Sequence, residues 1–207
     1  RGLGDVYKRQ ILRSNRMDDR YKKYVEYICG IAIIAFIVLK WFWKDIEFWD
    51  ALTYATAITS GIVILYVTVL WRINPLEKVP KLRKEYKGKL VSNYDDIERD
   101  IQISVKQNLF ETKINFKSGE SSSKSITANF YDEYGTKILS FGYINNPKAI
   151  HKDRSPMHYG MCILEIKDKN NLEGQYFTDR CTRGDMVLHS VTEKNKTIKK
   201  QLVESKK

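Results

Sequence analysis

From Ala51 to Trp71 the chain runs for 21 residues without a charged side chain. At 1.5 Å per residue, a helix of that length covers the roughly 30 Å hydrocarbon core of a bilayer. A second apolar stretch precedes it, YICGIAIIAFIVLKWFW from Tyr27 to Trp43, interrupted only by Lys40 near its end. A lysine there can snorkel to the headgroups, and Trp41, Trp43 and Trp49 form an aromatic belt at the same interface. The competing readings of the first stretch are a buried soluble helix and a signal peptide. No small-residue cleavage site follows it and a second span does, which favours a membrane helix.

The link from Lys44 to Asp50 is short enough to force an antiparallel hairpin, so both chain ends lie on one side of the membrane. Arg13, Arg16, Arg20, Lys22 and Lys23 precede the hairpin, and Arg72, Lys78, Lys81, Arg83 and Lys84 follow it. The link carries Asp45, Glu47 and Asp50 against one lysine. The positive-inside rule then places both termini in the cytoplasm. Thr53, Ala57 and Gly61 recur every four residues along the second helix, a small-residue strip for close helix packing, either within the hairpin or between protomers.

The expected organisation is a leader over 1–16, a hairpin over 24–72 with spans at 27–43 and 51–71, a linker over 73–81, a β domain over 82–192 and a basic disordered tail over 193–207. The opening RGLGDVYKRQ has no initiator methionine and reads as translated adapter sequence, with Met17 the expected start. The net charge of +11 is distributed as +5 over 1–23, zero over 24–81, +2 over 82–192 and +4 over 193–207. The β domain is therefore nearly neutral. Long DNA or RNA as a partner needs a basic stripe that this domain lacks. Basic ends suit membrane lipids instead. Three cysteines in unrelated contexts indicate a reducing compartment.

After Asn74-Pro75 and Pro80 the apolar period changes to two. Strands are expected at Tyr86–Asn93, Ile97–Gln107, Leu109–Lys117, Lys124–Asp132, Lys137–Asn145, Met157–Ile166, Leu172–Phe177 and Asp185–Thr192. Hairpin-length links between eight short strands predict a small up-and-down β-barrel, with a sandwich as the alternative. A closed barrel has no free edges and an interior sized for side chains or one small ligand. The long connection from Asn146 to Pro156 is either a cap over a barrel mouth or a plain surface loop.

Three passages carry a family pattern: SSSKSITANF at 121–130; LSFGYINNPKA at 139–149 with HYGMCILEI at 158–166; and LEGQYFTDRCTRGDMVL at 172–188. The last is the specific one, Leu172-x-Gly174-x-Tyr176-x-Thr178-x-Arg180 followed by Arg183-Gly184-x-Met186. Together they resemble the two-transmembrane, β-strand-rich effectors of the bacterial cyclic-oligonucleotide-based antiphage signalling systems (CBASS). The likeness runs from about Tyr24 to Val191. The first strand departs from the pattern, reading Tyr86-Lys87-Gly88 where such proteins carry an adjacent aromatic and glycine.

The resemblance implies an effector in the bacterial inner membrane whose barrel binds a cyclic di- or oligonucleotide. Binding then drives homo-oligomerisation, and the hairpin disrupts the membrane. Such a ligand needs arginine for its phosphates and aromatic faces for its bases. The candidate contacts are Tyr143, Asn146, His158, Tyr159, Tyr176, Thr178, Arg180 and Arg183. Each has a plainer role to set beside it: Tyr176 as barrel core, Arg180 in a structural ion pair, His158 as a satisfied strand histidine.

No catalytic motif, cofactor signature or metal-spaced Cys/His set occurs, so an enzyme is not expected. A channel is weakened by the uncharged span between Ala51 and Trp71. The remaining alternative is a membrane-anchored scaffold that holds a lipid or a protein.

Overall fold

The computed structural model describes residues 3–95, 97–151 and 156–191, in two compact units divided between Trp71 and Arg72. The first holds helix α1 (Leu3–Phe42), helix α2 (Phe48–Thr68) and a short 3-10 turn (Leu70–Arg72) that reaches into the second. The segments long and apolar enough to span a membrane are Lys22–Phe42 and Phe48–Thr68, 21 residues each. Helix α2 ends at Thr68, and the backbone tightens into the 3-10 turn at Leu70. The stretch through Arg16, expected as a leader, is helical from Leu3; nothing between Asp5 and Tyr27 is a glycine or proline that would stop it.

In the turn between the helices, Lys40 Nζ donates to the Ile46 carbonyl at 2.8 Å, and the Phe36 and Phe48 rings meet edge to face at 5.5 Å. The hydroxyls of α2 bond back to carbonyls four residues earlier, Thr53 to Trp49, Thr56 to Leu52, Thr59 to Ala55 and Ser60 to Thr56. A helix that satisfies its own hydroxyls can enter lipid without exposing an unpaired donor. Ala51, Ala55 and Thr59 are the buried row of α2, so close approach within the hairpin uses them. The expected strip of Thr53, Ala57 and Gly61 lies on exposed positions.

The second unit is a closed eight-stranded antiparallel barrel in sequence order. Its strands are β1 (Glu85–Ser92), β2 (Glu98–Gln107), β3 (Thr112–Ser118), β4 (Ser121–Glu133), β5 (Thr136–Pro147), β6 (His158–Ile166), β7 (Asn171–Thr178) and β8 (Arg183–Ser190). Closure is made by β1 on β8, from Tyr86 opposite Ser190 to Ser92 opposite Gly184. Strand β3 starts at Thr112 because the Asn108 side chain accepts from the Phe110 and Glu111 amides, turning the chain where a strand was expected. Ile97 precedes β2 and is exposed. The tail over 193–207 lies outside the described residues, as does 152–155 of the long connection.

Alternation sends one row of each strand inward, for example Ile101, Ile103 and Val105 on β2 and Leu139, Phe141 and Tyr143 on β5. Strong curvature needs small residues where strands cross closely. A Cβ at Gly88 would stand 1.8 Å from the Val187 carbonyl oxygen, so the inward position two residues after Tyr86 must be glycine.

One end of the barrel is plugged. Leu82 and Tyr86 are buried there, the Tyr86 hydroxyl donates to the Lys169 carbonyl at 2.9 Å, and Arg72 donates to the carbonyls of Leu82 and Gln107. The linker enters at this end. The opposite end is formed by the β1–β2, β3–β4, β5–β6 and β7–β8 turns and, among the described residues, surrounds a cavity.

Candidate functional site: the open mouth of the barrel

The inward rows change character along the barrel. Toward the plugged end they are aliphatic; toward the mouth they become Ser92, Arg99, Ser118, Ser123, Asn145, His158 and Thr178. These residues line a cavity of about 170 Å³ whose floor is Leu90, Ile101, Phe116, Tyr143 and Tyr176. Hydroxyl, amide and guanidinium groups on a buried wall must find partners, and here they hold one another.

Ser123 Oγ donates to Asn145 Oδ1 at 2.8 Å, with both residues buried. Ser118 and Ser121 share a hydrogen bond across the β3–β4 turn at 3.1 Å, and Thr178 and Thr182 share one across the β7–β8 turn at 2.7 Å. That second turn is tightened by Cys181 at φ +59°, and it carries Arg180 on the rim. Tyr143 lies edge to face with Phe116 at 6.1 Å and tilted to Phe141 at 6.2 Å. The end of its ring overlies Gly160, where a Cβ would come within 2.3 Å of Cζ.

Arg99 stands in the inward row of β2, its side chain 27% exposed. Both of its terminal nitrogens meet the Asp95 carboxylate, Nη1 to Oδ1 at 2.8 Å and Nη2 to Oδ2, and Nη1 also donates to the Ile97 carbonyl. The Asp95 carboxylate raises the pKa of the guanidinium further above its ordinary value. Burial raises the pKa of the Tyr143 and Tyr176 phenols, with the Ser92 hydroxyl opposing the shift at Tyr176. The Cys162 thiol, deeper in the barrel, is likewise held protonated by burial and packs against Met186. It is a core group.

Of the eight candidate contacts, Tyr143, His158, Tyr176, Thr178 and Arg180 line this cavity. Asn146, Tyr159 and Arg183 do not, and all three are exposed. Each is one residue out of phase with an inward neighbour, Asn145, His158 or Thr182, and one step along a strand moves a side chain to the opposite face. Tyr159 faces out while its amide donates to Asp179, and the Arg183 amide donates to Asn93. The described part of the long connection stands at the mouth: Pro147 lines the cavity, and Lys148 donates to the carbonyls of Glu120 and Gly119. Arg99, Asp95 and the Ser123–Asn145 pair are the residues that sequence reasoning missed. The parity of Arg99 with Ile101 was the available signal.

The mouth offers hydroxyl and amide donors, aromatic faces and arginine. That set suits a planar, polar, anionic ligand.

Comparison with known proteins agrees with this chemistry. A family model described as Cap15, cyclic dinucleotide receptor domain, matches residues 77–190, the whole barrel. CD-NTase-associated protein 15 of Staphylococcus schleiferi is 28% identical over 182 residues, covering 83% of this chain and 98% of that protein.

Proposed function

We propose a course of events from the premise that this chain belongs to the Cap15 cyclic dinucleotide receptor family, the two-transmembrane effectors of CBASS that its sequence resembles. The protein senses a cyclic nucleotide. The ligand enters the open mouth, stacks a base against Tyr143 or Tyr176, and places its phosphates against Arg99 and Arg180. Occupancy promotes self-association in the bacterial inner membrane, with both termini in the cytoplasm. The gathered hairpins then disrupt the bilayer.

The observation that carries the reading is the position of Arg99, a guanidinium turned into the mouth beside hydroxyl and aromatic groups. For self-association, the exposed row of Thr53, Ala57 and Gly61 offers a second helix a close approach that the hairpin itself leaves unused.

The test is dye release from vesicles of bacterial phospholipid carrying the full chain, on addition of a panel of cyclic di- and trinucleotides. Release with one member and none with linear dinucleotides is expected. Binding without release would overturn the disruption step and leave an anchored receptor. Neither binding nor release would favour the scaffold alternative.

A further inference from the structure

The arginine best placed for a phosphate is already occupied. Arg99 presents the forked face of its guanidinium to Asp95, and the two side chains are 27% and 24% exposed. A fork of this kind pairs with a carboxylate or a phosphate through the same two parallel hydrogen bonds, so the two anions compete for one geometry. Asp95 is also part of the cavity wall. A phosphate arriving at Arg99 therefore meets a carboxylate of like sign within contact distance of its own docking place.

Charge in the mouth points the same way. Among the described residues, the ionised groups on the wall are Asp95, Glu120, Arg99 and Arg180, two of each sign. A ligand with two phosphates would make it strongly negative if both carboxylates stayed in place. Glu120 belongs to the β3–β4 turn, which Lys148 ties down through the Glu120 and Gly119 carbonyls. Asp95 belongs to the β1–β2 turn, where it also accepts from the Ile97 amide at 3.3 Å, and Asn93 of the same turn is bonded to Arg183 of β8.

Resting on the reading of the mouth as a nucleotide site, we propose that Asp95 is a built-in stand-in for the ligand's phosphate. It holds Arg99 in the inward position in the empty barrel and is exchanged for the phosphate on binding. The exchange has two consequences. Affinity is set below what Arg99 alone would give, so that anions without further contacts to the wall do not displace the carboxylate. The freed Asp95 also gives up its contact with Arg99, so occupancy changes the ion pairing at the rim of the barrel.

The test uses the full chain in detergent micelles and two probes, inorganic pyrophosphate and a panel of cyclic dinucleotides, titrated into wild type, Asp95→Asn, Arg99→Ala and the double variant. Asparagine keeps the acceptor for the Ile97 amide; Asp95→Ser is the second variant if Asp95→Asn fails to fold. Asp95→Asn is expected to bind pyrophosphate about tenfold more tightly than wild type, with the gain absent in the double variant. The cyclic dinucleotide that binds wild type follows the same order. Unchanged or weaker pyrophosphate binding by Asp95→Asn overturns the exchange, as does a gain that survives without Arg99. The pyrophosphate order holding while no cyclic dinucleotide binds would uphold the exchange and overturn the nucleotide reading. Nucleotide binding to wild type that weakens in Asp95→Asn would do the reverse.

Discussion

The Tyr143 ring lies across Gly160 inside the barrel, close enough that a Cβ on Gly160 would stand 2.3 Å from Cζ and 2.4 Å from the hydroxyl oxygen. Strand β6 gives up a side chain so that β5 can project a large aromatic toward the mouth, because Tyr143 and Gly160 are direct partners across the β5–β6 ladder. Gly160→Ala should destabilise the fold by about 1–3 kcal/mol through overpacking and push the ring into the ligand space. Adding Tyr143→Leu should recover most of that loss. Thermal unfolding of the two single variants and the double variant measures the coupling. At Gly174 the obstacle is the Ile163 carbonyl at 2.0 Å, part of the backbone itself, so Gly174→Ala should be worse and no side-chain change should rescue it.

The buried hydrogen bond between Ser123 and Asn145 predicts a second cost. Ser123→Ala removes the donor and leaves the Asn145 oxygen buried without it, a loss of about 1–3 kcal/mol in chemical unfolding. Replacing both with apolar residues of similar size should cost less in stability than the single change, while ligand binding falls in either case.

Alkali should loosen the barrel. Burial raises the pKa of the Cys162 thiol above its ordinary 9.0 and of the Tyr143 phenol above 10.0, so the folded state holds both protons more tightly than the unfolded state. Their stabilisation is complete below the unfolded values and is lost as pH climbs through them toward the folded ones. The thermal midpoint should hold level up to about pH 8 and fall steadily by pH 11. Cys162→Ala and Tyr143→Phe should each flatten that fall even where they lower the midpoint at neutral pH.

In the hairpin, the two small-residue rows of α2 should behave differently. Ala55 is 2% exposed against α1, so Ala55→Leu should separate the helices and lower the yield of folded protein in detergent. Ala57→Leu, on the exposed row, should leave the folded chain intact and reduce ligand-triggered dye release several-fold.

Much of this fold was legible because its signals are local. An uncharged run marks a helix long and apolar enough to cross a membrane, and eight runs of alternating residues separated by turn residues mark a meandering sheet. Closure was not legible, since the pairing of β1 with β8 joins residues about a hundred positions apart and neither strand's pattern names its partner. The site was readable only to within one residue. Asn146 was named where Asn145 lines the cavity, and Tyr159 was named together with His158, because local composition shows that a polar patch exists but not its phase. The register shift between Ser125 and Thr127 also resets the phase of β4. Arg99 escaped for a different reason. In Glu98-Arg99-Asp100 it reads as the solvated start of a strand, and only its pairing with Asp95 shows why a charge can face inward.

The central claim is that the mouth of this barrel receives a cyclic nucleotide. The measurement that tests it most directly is calorimetric titration of the full chain in detergent with a panel of cyclic di- and trinucleotides, beside Arg180→Ala and Tyr176→Ala. One member should bind with micromolar or tighter affinity, and each variant should weaken it by about tenfold or more. A folded chain that binds no member of the panel, or a member whose binding neither variant alters, would contradict the account.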